Sequence, residues 1–373
     1  MSELEYTEQG WRYQLDPTRH HRERNWDYRG RGIYHITLVV AERWPLFGKL
    51  DGSSAEQATV ELNDLGQEVL AILQSIPEHH AAKGYSLKIL ATRIMPDHIH
   101  LVLQVLEPLP HPIGQVVRGV KSACTAAYKR TYFQASPALN HEREMHNATF
   151  DHRNSVHFAR MFASRGSIWQ SDAAHYHDRI LHSEGQLDAM INYVKDNPRR
   201  LWLKRANPDL FRIRRQTMVA GVECTTLGNI VLAERPQRTL LQCSRSLTQA
   251  EIDAKREACL AEADKGTVFI SAAISEGEKQ ISRALRRAGY PMIILLQDGF
   301  PKPGDPHERY YKPGGEYFEA CAAERLLLIE PSQALLDAPE IETAVYRKAH
   351  DIPHSSQRYR FLALNVIGWM MQT

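Results

Sequence analysis

The residues whose types and spacing could do chemistry lie in Ile94-Met95-Pro96-Asp97-His98-Ile99-His100-Leu101-Val102-Leu103. The pattern is a turn that feeds an apolar strand, with two histidines at its mouth. In a strand, residues two apart share a face, so His98 and His100 project together while Ile99 points the other way. Pro96 and Asp97 mark the turn. Two imidazoles on one rigid face, beside a carboxylate, can hold a divalent metal. Spacing alone equally allows two partly exposed histidines that hydrogen-bond to their surroundings. Asp97 either orients a ligand or only shapes the turn.

Positive charge mixed with aromatic surface marks a second feature. Arg199 to Arg215 (RRLWLKRANPDLFRIRR) interleaves Trp202 and Phe211 with basic residues. That suits a nucleic-acid backbone, and equally a solvated basic face. Arg199, Arg200, Lys204 and Arg205 are the candidate contacts, with Lys121 on an upstream helix. Trp169 either stacks on a base or anchors a core edge. His20 to Arg24 (HHRER) reads as a phosphate contact or a solvated arm. Residues 134–167 carry His141, His146, His152 and His157, but no pair has ligand spacing on a defined element, so a polar insertion is expected.

The elements that must position these groups follow from periodicity. Strands are expected over 31–40, 85–93 and 98–105. In the first, Tyr34, Ile36 and Leu38 share one face; His35 lies on the other, either approaching the site or solvated. Glu42 to Ser54 reads as a loop. Helices are expected over 55–75, 113–132 and 185–197, with Pro198 stopping the last. Past a boundary near 205–220, strands are expected within 227–243, then at 267–271, 291–297 and 325–329. Helices are expected over 247–262, with Gln249 as capping-box partner of Ser246, and over 276–288. Alternating strands and helices indicate a parallel sheet, whose ligands bind at the carboxyl ends of the strands. That places Ser244, Arg245, Ser271 and Ser275 at one rim, with the Gly/Pro-rich 298–317 loop placed to cover it. The organisation expected is an arm at 1–30, a site domain at 31–210, a parallel-sheet domain at 221–330 and a helical tail at 331–373.

Composition sets the outer bounds. The 373 residues are 43% hydrophobic and 24% charged, ordinary for a globular protein of two or three domains. A net charge of +2 excludes a uniformly basic protein but allows a basic face. The five cysteines, Cys124, Cys224, Cys243, Cys259 and Cys321, form no CxxC pair, so neither a thiolate zinc site nor a disulfide scaffold is indicated. The N-terminal MSELEYTEQGWRYQLDP has no apolar signal core, and no run reaches the roughly 18 apolar residues of a membrane span. A cytoplasmic location without membrane association is expected.

Four pieces, GRGIYHITL, MPDHIHLVL, SIWQSDAAHYHDRI and YVKDNPRR, occur in this order across residues 29–200. Together they resemble the transposases of single-stranded DNA insertion elements, and more closely the repeat-associated tyrosine transposases of the HUH nuclease group. The resemblance implies an α/β domain, a ferredoxin-like antiparallel sheet with helices on one side. It implies that His98 and His100 are imidazole ligands of Mg2+ or Mn2+, that Asn197 supplies a third ligand, and that Tyr193 is the nucleophile, with Tyr176 the competing tyrosine. Tyr193 and Asn197 are one helical turn apart and share a face. The implied product is a 5′-phosphotyrosine with a free 3′-OH. The usual proline-valine after the helix is Pro198-Arg199 here.

Residues 221–330 carry a second resemblance. LQCSR, a helix, and GTVFISAAISEGEKQISRALRRAGYPMIILL are similar to the Rossmann-like domain of the DNA-processing protein A and SLOG superfamily, whose members bind single-stranded DNA or nucleotide-derived ligands. Cys243 stands where a glycine is frequent, as does Ser271-Ala272-Ala273, which hinders close backbone approach to a phosphate. Glu276 and Glu278 would repel an anion at the start of the following helix.

The reading is a metal-dependent single-stranded DNA endonuclease and strand transferase acting on hairpin-containing DNA. The alternatives are a non-catalytic DNA-binding protein that keeps the fold, and a nuclease controlled by a nucleotide on the C-terminal domain. A homodimer, with Tyr193 acting in cis or in trans and residues 359–371 at the interface, is left open.

Overall fold

The computed structural model describes residues 4–7, 10–13, 23, 26–133, 162–170, 176–300, 313–350 and 352–372. Apart from Glu23, the basic arm at His20–Arg24 lies outside them, as do the four histidines between 134 and 161 and residues 301–312 of the rim loop. The chain divides into two compact units, Met1–Trp202 and Leu203–Thr373. Each is a mixture of helices and sheets. Among the described residues no helix is long and apolar enough to cross a membrane.

The first unit opens with an antiparallel pair, β1 (Leu4–Thr7) and β2 (Gly10–Tyr13), then β3 (Gly32–Val39). A hairpin of β4 (Gly48–Asp51) and β5 (Thr59–Leu62) leads to α1 (Asp64–Gln74) and α2 (Ile76–Ala81). β6 (Leu87–Met95), β7 (His98–Val105), α3 (Gly114–Phe133), β8 (His177–Ile180) and α4 (Glu184–Ala206) follow. β6, β7, β3 and β8 form one antiparallel sheet in that order. The hairpin corrects the expectation of a loop running into a helix over 55–75. The helix starts only at Asp64, because Asn63 caps it by accepting from Gly66 N at 2.9 Å.

The four-stranded sheet has two unlike faces. Tyr34, Ile36, Leu38, Ile99, Leu101, Leu103 and Val105 sit in a large core with Leu65, Val69 and Leu73 of α1 and Val117, Val120 and Cys124 of α3. The opposite face carries His35, His98, His100 and Val102. There Val102 joins Leu181, Met190 and Val194 in a small apolar cluster, flanked by Leu187 and Tyr193. Helices therefore cover both faces, not one as expected. α4 also runs through Pro198 to Ala206, where a stop was expected. An interior proline costs a helix about 3 kcal/mol. Contacts on both sides of it offset this: Val194 before, and afterwards Arg200 over the Tyr193 ring and Trp202 Nε1 donating to Gly52 O.

The second unit contains β9 (Arg214–Val219), β10 (Val222–Gly228), β11 (Arg238–Leu240), α5 (Gln249–Asp264), β12 (Val268–Ser271), α6 (Glu276–Arg287), β13 (Met292–Leu295), α7 (Gly315–Ala322), β14 (Leu326–Pro331), α8 (Gln333–Leu336), α9 (Pro339–Lys348) and α10 (Gln357–Met370). Its sheet order is β11-β12-β13-β14-β10-β9. The first four strands are parallel; β10 and β9 add antiparallel. Alternate residues enter two cores: Ile270, Ile293 and Leu327 pack with α9 and α10, and Phe269, Ile294 and Leu328 with α5 and α6. Such double burial explains the unbroken apolar runs of these strands. α5 is capped by a box of Thr248 and Glu251, not by Ser246 and Gln249. The closing helix buries Tyr359, Ala363, Leu364 and Ile367 in its own core and exposes Trp369 and Met370.

Candidate functional site

The site begins where β7 begins. Pro96-Asp97 joins the paired residues Met95 and His98 as a two-residue turn. Neighbouring backbone pins that turn: Val40 N donates to Asp97 O at 3.0 Å and Phe47 N to Pro96 O at 3.1 Å. His98 and His100 follow on one face, both buried. Their Nε2 atoms stand 3.2 Å apart with the rings nearly perpendicular, at 89°.

Each imidazole has a separate partner on Nδ1. His98 Nδ1 donates to Asp97 Oδ1 at 2.5 Å, and Arg43 donates to Oδ2 at 3.2 Å. An ionised carboxylate only accepts, so Nδ1 of His98 carries a proton. Burial resists ionisation of Asp97, but the hydrogen bond and charge of His98, together with Arg43, outweigh it and hold its pKa at about 2. On the other ring, His100 Nδ1 lies 3.0 Å from His35 Nε2 and 3.2 Å from Thr37 Oγ1. Burial, then the charges of Arg179 and His98, push the His35 pKa down to about 3, so its ring is neutral.

α4 brings a phenol to these histidines. The Tyr193 ring is 5.5 Å from the His100 ring and 6.2 Å from the His35 ring, edge-on to both. Asn197, one turn on, donates Nδ2 to Tyr193 O at 2.8 Å, and the Arg200 guanidinium lies 5.4 Å from the Tyr193 ring. Burial raises the Tyr193 pKa above its ordinary value; Arg200, a hydrogen bond from Asn197 and Arg43 act against that rise.

The pair of Nε2 atoms fits a divalent ion. Adjacent ligands about 2.1 Å from an octahedral ion stand about 3 Å apart, close to the separation of these two nitrogens. Among the described residues no group of three or more His, Cys, Asp or Glu is placed to hold a metal ion. Further ligands would be oxygens: Asn197 Oδ1, water or a bound phosphate.

The other expected site residues are distributed unequally. Trp169 is 2% exposed, packs against Phe47 and donates Nε1 to Lys121 O, so it is a core anchor and presents no ring to a base. Tyr176 is buried in the core on the far face of the sheet, away from the histidines. Arg199 pairs with Asp196 at 2.6 Å, Lys204 sits over the Phe318 ring and Arg205 is exposed. Phe211 stacks on Phe318. The basic run is thus no uniform ribbon, and Arg200 belongs to the Tyr193 site. Residues missed from sequence are Thr37 and Arg43. Strand parity held a signal for Thr37, which is paired directly with His100 across β3 and β7.

The rim of the second unit is filled from within. Ser244 and Arg245 are exposed, whereas Ser271 is fully buried and accepts from Ala273 N and Ser282 Oγ. Ser275 caps α6 by accepting from Glu278 N at 3.1 Å. The Glu278 carboxylate, 4% exposed, accepts from Cys243 N at 3.1 Å, Ile274 N at 2.8 Å and Ser275 N at 3.4 Å. These backbone donors, at the start of a helix beside two strand ends, are the kind that would hold an anion. Gly277 allows the close approach, since a Cβ there would meet Cys243 Sγ at 2.3 Å. Ala273 takes φ 50°, the left-handed conformation that glycine adopts more readily.

No family model matches the chain. It is 22% identical over 183 residues to an uncharacterized protein of Haemophilus influenzae, spanning 48% of this chain and 89% of that protein. Among solved structures it is similar to a candidate transposase from Deinococcus radiodurans R1, at 16% identity and a TM-score of 0.24, over 48% of this chain and 96% of that one. It is also similar to a REP-associated tyrosine transposase bound to a REP hairpin, at 13% identity and a TM-score of 0.27, over 48% of this chain and 72% of that one. These are remote similarities to transposase-like folds.

Two outcomes follow from this geometry. Asp97 is held below its unfolded-state pKa, so its stabilisation is complete above about pH 4 and is lost as pH falls through about 2. In metal-free protein, Asp97→Asn should cost about 2 kcal/mol at pH 7 and nearly nothing near pH 2, read by urea unfolding across pH; an equal cost at both would contradict the pairing. Glu278→Ala leaves three inward-facing N–H groups without their acceptor, so it should lose about 1–3 kcal/mol. Inorganic phosphate should then raise the Tm of the variant and not that of the wild type, measured by calorimetry.

Proposed function

We propose that this chain is a metal-dependent single-stranded DNA endonuclease and strand transferase that works through a covalent tyrosyl intermediate. The observation that carries the reading is the convergence of two imidazole Nε2 atoms at 3.2 Å beside the Tyr193 ring. Two nitrogen ligands and a phenol, enclosed under one helix, are the parts that phosphodiester transfer to tyrosine requires. The first unit is then a ferredoxin-like HUH domain, and the second a Rossmann-like domain.

Bound Mg2+ or Mn2+ would offset charge on the non-bridging oxygens of the scissile phosphate. His98 and His100 would hold it, with Asn197 Oδ1 as the third protein ligand. Tyr193 Oη attacks phosphorus, and the bond to the 3′ oxygen breaks in line. The products are a 5′-phosphotyrosine and a free 3′-OH, and attack by another 3′-OH reverses the step. The phenol must lose its proton, which burial opposes; the Arg200 charge and the Asn197 amide ease that loss. Arg200, over the Tyr193 ring, would also meet the phosphate that Tyr193 attacks. Arg199, Lys204, Arg205 and Lys121 serve the flanking backbone. The substrate class, single-stranded DNA beside a hairpin, comes from the likeness of the four sequence pieces.

The test is cleavage of end-labelled hairpin oligonucleotides with Mg2+ or Mn2+. Chelation should abolish cleavage, and His98→Ala and His100→Ala should each lower its rate at least about 100-fold. Tyr193→Phe should bind the same DNA without cutting. Binding by the wild type with no cleavage on any hairpin, with either metal, would replace this reading with that of a non-catalytic DNA-binding protein.

A further inference from the structure

The strands set an order across the site. His35 and Thr37 lie on β3, His98 and His100 on β7 beside it, and β6 follows as an edge of the sheet among the described residues. Tyr193 stands on the β3 side of this row, edge-on to the rings of His35 and His100. The cations whose charge bears on its phenol are Arg200 of α4 and Arg43, which follows β3. On the other side of the row is Arg93. It pairs directly with His100, and directly opposed residues share a face with Cβ atoms about 4.5–5.5 Å apart. Ala91 and Met95, its neighbours on that face of β6, are apolar.

The arginines of this unit are employed differently. Arg43 donates to Asp97, Arg199 pairs with Asp196 and Arg200 lies over the Tyr193 ring. Arg93 is half-buried, and among the described residues its Nε is enclosed without a hydrogen-bond partner. A buried donor left without an acceptor is costly. Phosphate oxygens match the planar fork of a guanidinium and would supply the acceptor.

In-line transfer says which phosphate that is. The attacking and leaving oxygens lie on opposite sides of phosphorus. With Tyr193 attacking from the β3 side, the 3′ oxygen departs toward β6, and the strand that ends in it passes Arg93. We propose that Arg93 binds a backbone phosphate of the strand released with a free 3′-OH and so retains that strand for rejoining. This rests on the reading of Tyr193 as nucleophile at a phosphate held beside His98 and His100. Arg93 then acts on retention of the strand and not on formation of the phosphotyrosine bond.

The test uses the full chain as wild type, Arg93→Ala and Arg93→Lys, with Mn2+ and hairpin oligonucleotides. Single phosphates on either side of the cut are replaced by uncharged methylphosphonates. Two steps are followed: adduct formation at saturating protein, and rejoining of the adduct to added 3′-OH strand. In the wild type, one methylphosphonate on the 3′-OH side should raise the strand concentration needed for rejoining about 10–100-fold. Arg93→Ala should show the same loss on native DNA and no further loss with that methylphosphonate. Arg93→Lys, which keeps the charge but not the fork, should recover part of it. Adduct formation on native DNA should be nearly unchanged in both variants. Equal methylphosphonate penalties in wild type and Arg93→Ala, or a penalty relieved only on the 5′-phosphate side, would overturn the proposal while the transfer reading stands. A wild type that forms no adduct on native DNA would sink the transfer reading and the role of Arg93 with it.

Discussion

The packing of one helix against the polar face of the four-stranded sheet is the constraint on which the site depends. Val102, Leu181, Met190 and Val194 form the contact. Each fully buried side chain of this kind contributes roughly 1.5–3 kcal/mol, enough together to outweigh the cost of Pro198 within the helix. The same helix face then carries Tyr193, Asn197 and Arg200, spaced four and three residues apart. A helix broken at Pro198 would not carry Arg200 back over the Tyr193 ring. Helix continuity is therefore a property of the site and not only of the fold.

Beneath that helix, polar groups are buried and must be satisfied. They form a chain: Arg43 to Asp97, Asp97 to His98, His98 to His100, and His100 to His35 and Thr37. Its members come from the loop after β3, the Pro96-Asp97 turn, β7 and β3. Strand register holds both histidines and their supports on one rigid surface. Such a network fixes the two Nε2 atoms before any ion or substrate arrives, which is the geometric requirement for a preorganised site.

Much of this could be read from residue order. Alternation in Ile99, Leu101, Leu103 against His98 and His100 located β7 to the residue. The apolar runs of β12 and β13 revealed buried parallel strands. What failed did so for physical reasons. Pro198 has a strong local preference to end a helix, and only contacts distant in sequence override it. Thr59 to Leu62 resembled the start of a helix because apolar Val60 and Leu62 also suit strand alternation, and the cap at Asn63 went unread. Trp169 stayed open between a base-stacking surface and a core anchor, since composition does not say which aromatic faces inward. Glu278 was read as repelling an anion; the structure has its own carboxylate accepting from the backbone N–H groups of Cys243, Ile274 and Ser275. His35 could not be assigned from one strand, because its partner His100 lies two residues along β7 from its direct neighbour Val102.

The central claim is that Tyr193 becomes covalently joined to DNA, and protein mass spectrometry tests it most directly. After reaction with a hairpin oligonucleotide and Mn2+, followed by nuclease and protease digestion, the peptide containing Tyr193 should carry a nucleotide through a 5′-phosphate. The same residue on Tyr176 or another tyrosine, or cleaved DNA with no modified peptide, would contradict the account.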